Sequence, residues 1–231
     1  VNDWFTEAFA GQTLMAILRG YDAARTVELA RTAWELGVRG VEVPVQDESA
    51  VAALEAATAV ADGRPVGAGT VTTPDRLRAA VRAGAAFTVA PGLDPELAVA
   101  SAEAGLPHLP GVATASDVQR AQRLGLRWLK AFPASVLGTG WFAAMRGPFP
   151  EARFVATGGD DRRERRELSG GRGLGRGPRV GADRFHAAPN RRRLTRARIA
   201  SSSTANPASA TWSDTSWVAR PSASTGTASP T

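Results

Sequence analysis

Short apolar runs alternate along this chain with longer stretches whose apolar residues recur every three or four positions. The short runs are LMAILRG, GVEVPV, PVGAGTV, AFTVAPG, HLPGVA, WLKAFPA and RFVATGG, each of strand length. The stretches between them carry a helical period. In DRLRAAVRAG, for example, Leu77, Ala80 and Val81 share one face with Arg76, Arg78 and Arg82 around them. Both ends of these helices are marked. Gly37, Gly63, Gly84, Gly105 and Gly125 stand just past a helical pattern, where a left-handed residue ends a helix. Asp22, Thr73 before Pro74, Asp94 before Pro95, and Thr114 or Ser116 stand where helices begin, as caps with proline at the first helical position. The glycine spacing of roughly 20–26 residues suits one strand plus one helix.

Apolar strands alternating with amphipathic helices predict an α/β fold of parallel strands joined by right-handed crossovers. Arg19, Glu42, Thr70, Lys130 and the pair Gly158-Gly159 fall at the ends of different strands. A (β/α)8 barrel (TIM barrel) assembles its site at those carboxyl ends, from several strands at once. A doubly wound open sheet would gather its site at one crevice, so the barrel is the preferred layout. Only seven strands are legible, and the pattern stops after RFVATGGD. Residues 1–159 therefore read as an incomplete barrel domain of about seven βα units. Residues 160–231 read as an Arg/Gly-rich, then Ser/Thr/Ala/Pro-rich tail of disordered composition. The break falls inside the seventh β-to-α turn, and the expectation is a reading-frame shift near Asp160. Without an eighth strand, two edges of the sheet would stay unpaired.

Composition refines this picture in two places. The formal net charge of +6 is unevenly spread: residues 1–159 hold 14 cations against 16 acids, and residues 160–231 hold 14 arginines against six acids. The high isoelectric point belongs to the tail and says nothing about what the barrel binds. Cysteine is absent and only His108 and His186 are present, so thiolate or histidine-rich metal centres are not expected. No apolar run is long enough to span a membrane, and the first residues lack the basic region of a signal peptide. A cytoplasmic location is the default expectation.

Of the 28 Lys and Arg residues, Lys130 is the one lysine. Arginine stays protonated, whereas a desolvated primary amine can lose its proton and attack a carbonyl. A lysine retained inside WLKAFPA therefore suggests an imine-forming amine, with a simple point charge for phosphate or carboxylate as the alternative. Glu42 stands among valines in GVEVPV. A buried carboxylate is costly unless paired, so it reads as a general base or as one side of an ion pair with Arg19 or Lys130. Strands two and six are both even-numbered, so Glu42 and Lys130 can face one another in one side-chain layer. Arg19 suits a carboxylate or phosphate. Thr70 offers a hydroxyl to a substrate or closes a strand edge. Gly158 and Gly159 allow backbone amides to approach an anion. His108 reads as a packing or rim residue.

AILRG, VEVP, GAGTV, APG, LPGVATASD, LKAFPAS and ATGG occur in this order. Together they resemble the bacterial 2-keto-3-deoxy-6-phosphogluconate / 4-hydroxy-2-oxoglutarate aldolase family, including its phosphogalactonate-cleaving members, over about residues 13–159. The resemblance implies a class I aldolase, a homotrimer without cofactor. It would cleave a 2-keto-3-deoxy-6-phospho sugar acid to pyruvate and glyceraldehyde 3-phosphate. It gives Lys130 the Schiff base and Glu42 the proton shuttle, with Arg19, Thr70, Gly158 and Gly159 on the substrate.

Two departures stand out. Gln46 occupies the position four residues after Glu42 where many gluconate-type members have Arg, and the family's glycine-serine loop after its eighth strand is not found in the tail. Two competing classes remain. The arginine-rich tail would bind nucleic acid beside a degenerate barrel, but it lacks aromatic residues among its arginines. A barrel lyase or isomerase would use Lys130 only as a charge.

Overall fold

The computed structural model describes residues 3–11, residues 14–158 and a backbone strand at residues 215–218. A short helix α1 (Trp4–Ala8) precedes β1 (Leu14–Ile17) and α2 (Ala23–Glu35). There follow β2 (Gly40–Pro44), α3 (Glu48–Ala59), β3 (Val66–Gly69), α4 (Pro74–Arg82), β4 (Phe87–Val89) and α5 (Pro95–Glu103). Next come β5 (His108–Leu109), β6 (Gly111–Val112), α6 (Ala115–Arg123), β7 (Trp128–Ala131), α7 (Ala134–Arg146) and β8 (Arg153–Ala156). The last described strand is β9 (Thr215–Val218). The expected turn chemistry holds. Gly37, Gly63, Gly84, Gly105 and Gly125 all have φ between 72° and 87°. Asp22, Thr73, Asp94 and Thr114 each accept a backbone N–H in the first turn of their helix.

The sheet runs β5-β4-β3-β2-β1-β9-β8-β7-β6. All pairs are parallel except those of β9, which runs antiparallel to both β1 and β8. β5 and β6 are two pieces of one strand position, interrupted at Pro110, which has no N–H for a ladder. The run HLPGVA thus reads as one strand in sequence and is two in the fold. Counted by position, seven parallel strands curve into a barrel, and β9 fills the gap between the first and last. The expected unpaired edges are thereby corrected: Ala16 faces Thr215 and Ala156 faces Trp217 across backbone ladders. A four-residue strand carries too little periodicity to be seen in a tail of that composition. Residues 159–214 and 219–231, most of the expected tail, lie outside the described residues.

Strand alternation sorts the side chains. Val41, Val43, Val66 and Ala68 face helices α2 to α4 in one outer layer. Leu129, Ala131, Phe154 and Ala156 face helices α5 to α7 in another. The opposite faces fill the barrel interior with Met15, Phe87, Val89, Leu109, Trp128 and Val155, closed from below by Phe5 and Phe9 around α1. Two inward positions must be glycine: a Cβ at Gly67 would strike the Phe87 ring, and one at Gly40 would strike Phe9. The Trp128 indole donates to the Thr6 hydroxyl at 3.0 Å, tying α1 to the floor. In α4, Leu77 and Ala80 are buried as expected. Val81 is corrected: it is 45% exposed, and Ala79 is the third buried residue of this nine-residue helix.

Candidate active site

Above this aromatic floor the inward positions become polar. Trp128 and Lys130 are two apart on β7 and share its inner face. The same parity puts Gly40, Glu42 and Pro44 inside on β2. Across the barrel, Lys130 Nζ lies 3.6 Å from Glu42 Oε1, with the two side chains 6% and 0% exposed. The expected confrontation of strands two and six is therefore present. Both Glu42 oxygens are buried without a hydrogen-bond donor among the described residues, so the ammonium of Lys130 is the charge that offsets this carboxylate. Lys130 also stands over the Phe132 ring, 5.4 Å from its centroid. A cation over an aromatic face and beside a carboxylate is held in place while remaining close to the end of the barrel.

The residues around the pair were only partly legible. A Cβ at Gly69 would run into the Glu42 carboxylate, so GAGT contributes a missing side chain as well as Thr70. Thr157 follows Val155 on the inner face of its strand. It is 3% exposed, and its Oγ1 is buried without a hydrogen-bond partner among the described residues. Sequence reading passed over Thr157 because one threonine in ATGG carries no periodic or motif signal. Its burial and inward parity identify it.

Thr70 takes a left-handed backbone, φ 56°, which is costly for a β-branched residue. Arg19 is exposed at the end of β1 and donates from Nη1 to Gln46 Oε1 at 2.9 Å. It is not the partner of Glu42 in the ion pair above. Gly158 has φ 77° and lies against Phe132 and Pro133, where a Cβ would come within 2.9 Å of the ring. Its carbonyl accepts from Ser135 N–H at 2.9 Å, which joins the first turn of α7 to the end of β8. Gly159 lies outside the described residues. The structure thus brings Lys130 and Glu42 together, places Thr157 on the same inner face, and sets Arg19 and Thr70 at the rim.

His108 is in a different place, on the outer face of β5. Ser101 donates to the Leu106 carbonyl at 3.0 Å, so the hydrogen between Thr88 and Ser101, 2.7 Å apart, belongs to Thr88. The 2.8 Å contact between Thr88 and His108 must then be a bond donated by Nδ1–H. Burial holds this imidazole well below its ordinary value, at about 4, against a weaker opposite pull from Asp94. It is a neutral packing group. Among the described residues no cluster of three or more His, Cys, Asp or Glu side chains is placed to hold a metal, and no helix is long and apolar enough to cross a membrane.

The family model for the aldolases described as KDPG and KHG aldolase matches residues 6–169, which contain every element of this site. The chain belongs to that family. The KHG/KDPG aldolase of Escherichia coli strain K12 is 38% identical over 134 residues, covering 58% of this chain and 63% of the relative. The chain thus spans less than two thirds of the length of that relative. The crystal structure of the 2-keto-3-deoxy-6-phosphogluconate aldolase of Zymomonas mobilis ZM4 superposes with a TM-score of 0.65 at 32% identity. That match covers 69% of this chain and 76% of the other. The KDPG aldolase of Legionella pneumophila, solved with pyruvate captured as a covalent carbinolamine intermediate, gives a TM-score of 0.63 at 31% identity. It covers 66% of this chain and 74% of the other. KDPG and KHG aldolases are lyases, and the seven parallel strand positions of this chain carry that family's barrel.

Proposed function

We propose that this chain is a class I aldolase acting through an imine on Lys130. The observation that carries the reading is the buried Lys130–Glu42 pair, 3.6 Å apart on an apolar floor. Glu42 takes a proton from the Lys130 ammonium, the neutral amine so formed attacks C2 of a 2-oxo acid, and Glu42 gives that proton to the departing hydroxyl, so that loss of water leaves the protonated imine. Glu42 takes the proton of the C4 hydroxyl. The electrons of the C3–C4 bond move to the imine nitrogen, releasing an aldehyde and leaving an enamine. Glu42 returns its proton to C3, and water hydrolyses the imine to release pyruvate and restore the amine. Proton balance is kept by one carboxylate that first accepts and then donates.

The 2-keto-3-deoxy-6-phospho sugar acid expected above is the substrate class of this reading, with pyruvate and glyceraldehyde 3-phosphate as products. The carbinolamine of the Legionella pneumophila relative supports the first covalent step. Arg19, Thr70 and Thr157 hold the carboxylate and hydroxyls, and Gly158 and Gly159 approach through their backbone. A cytoplasmic homotrimer is part of the same reading. Val81 and Val99, 45% and 47% exposed on α4 and α5, offer an apolar face to such an assembly. The decisive experiment is incubation with pyruvate and sodium borohydride followed by peptide mass spectrometry. A reduced pyruvyl adduct on Lys130 is expected, absent in Lys130→Arg. A folded parent chain that forms no adduct would overturn the imine mechanism.

A further inference from the structure

Arg76 belongs by sequence to the polar flank of α4, yet its side chain turns back across the carboxyl ends of the strands. Thr73 caps that helix and Pro74 opens it, so Arg76 sits in the first turn, facing the loop it has just left. Its Nη1 donates to Thr72 Oγ1 at 2.6 Å and, more weakly, to the Thr70 carbonyl at 3.4 Å. Its Nη2 donates to the Gln46 carbonyl at 3.2 Å. Gln46 in turn accepts at Oε1 from Arg19. One chain of hydrogen bonds therefore runs from the end of β3, past the end of β2, to the end of β1.

Two observations show what this chain of bonds does. Thr70 is a β-branched residue at φ 56°. A left-handed conformation of this kind persists only where neighbouring groups over-determine it. Arg76 grips that turn at both Thr70 and Thr72. The second observation is the shape of the donor. Its acceptors are three neutral oxygens on two loops, which a planar fork can span and a single ammonium cannot.

We infer that Arg76 is a positioning residue. It fixes Thr70 and, through Gln46, the Arg19 guanidinium in the geometry that receives the carboxylate of a 2-oxo acid held on Lys130. This inference rests on the imine reading. It also gives Gln46 a definite role, in which the side-chain carbonyl orients one arginine while the main-chain carbonyl anchors the other.

The test titrates pyruvate in borohydride trapping on the parent chain, Arg76→Lys and Arg76→Met, with urea unfolding run beside it. In both variants the half-saturating pyruvate concentration should rise roughly tenfold, the effect of losing a charge-assisted hydrogen bond. Adduct yield at saturation should stay at the parental level. Trapping of hydroxyacetone, which has no carboxylate, should be unchanged, and low millimolar guanidinium should partly restore Arg76→Met. A pyruvate dependence equal to the parent's in both variants, or full rescue by Arg76→Lys, would overturn the inference while leaving the imine intact. Equal loss with pyruvate and hydroxyacetone would also overturn it, because the role would then be general folding. A parent chain that traps nothing removes the imine reading itself, and this inference with it.

Discussion

Residues 14–109 and residues 111–158 form two arcs of one barrel, and their outer layers are packed from different materials. The first arc, β1 to β5, buries small and branched side chains against its helices: Ala30, Ala33, Ala53, Leu54 and Ala57 under Val41, Val43 and Val66. Alanine faces allow α2 and α3 to lie close to the sheet. The second arc, β6 to β8, has fewer strands and relies on rings. Trp141 meets Phe154 edge-on at 5.1 Å and Phe142 at 5.2 Å. Each aromatic buries far more surface than an alanine and adds a directional contact, so a short arc gains its burial from a few residues. The chemistry divides the same way. Glu42, Arg19 and Thr70 come from the first arc, and Lys130, Thr157 and Gly158 from the second.

The largest expected effects come from separating the pair that joins the arcs. Glu42→Gln should lower kcat for aldol cleavage by roughly 10²–10⁴-fold, the usual share of a positioned acid–base group, measured by coupling pyruvate release to its reduction. Lys130→Met should abolish the adduct and also destabilise the fold by about 3–5 kcal/mol in urea, because a buried carboxylate loses its partner. The double variant Lys130→Met with Glu42→Leu should recover most of that stability and none of the activity. A Lys130→Met chain as stable as the parent would show that the two arcs do not depend on this pair.

Truncation compares the arcs directly. Phe154→Ala should cost about 3–5 kcal/mol and Leu54→Ala about 2–5 kcal/mol, read from urea midpoints. The aromatic deletion should be the worse of the two, since few other residues in its arc can fill the space. Equal losses would contradict the contrast drawn between them.

Acid should act at the edge of the first arc. His108 titrates at about 4 in the fold, against an ordinary value of 6.5. Below about pH 6.5 the unfolded chain takes up a proton that the folded chain refuses, so stability falls as pH drops from there to about 4. The loss amounts to a few kcal/mol. Below that range the folded imidazole is protonated too, and this group takes nothing further. Urea midpoints across this range should show the slope in the parent and a flatter one in His108→Gln. The smallest effect belongs to the floor shared by both arcs. Thr6→Val removes the bond from Trp128 and should cost about 1 kcal/mol, seen as a small fall in Tm.

Much of the first arc was legible because its signals are local. A cap, a proline at the first helical position and a left-handed glycine each act over three or four residues, and they marked α2, α4 and α5 correctly, and α6 in the second arc as well. Lys130 and Glu42 were legible for another reason: a charged residue inside an apolar strand is conspicuous wherever it lies. What escaped depends on contacts between distant residues. Phe5 and Phe9 gave no hint that they close the barrel from below. Gly69 had no visible purpose until the Glu42 side chain lay over it. Arg76 was one of three arginines on a helix flank, and its direction depends on the loop it folds over. The break at Pro110 and the closing strand Thr215–Val218 are too short for any period to announce them.

Pro110 gives the barrel a crease. Leu109 still offers its carbonyl to Ala90 on one side at 3.1 Å, and the carbonyl of Pro110 itself already serves Lys130 N–H on the other at 2.8 Å. The strand bearing Lys130 is thus registered to the very residue where one arc's ladder ends and the next begins. A rotation of the arcs about that crease would alter the Nζ–Oε1 separation, because Glu42 stands on one arc and Lys130 on the other. The ion pair is in this sense the gauge of the barrel: whatever loads or relaxes the crease is read out first in the reach of the amine.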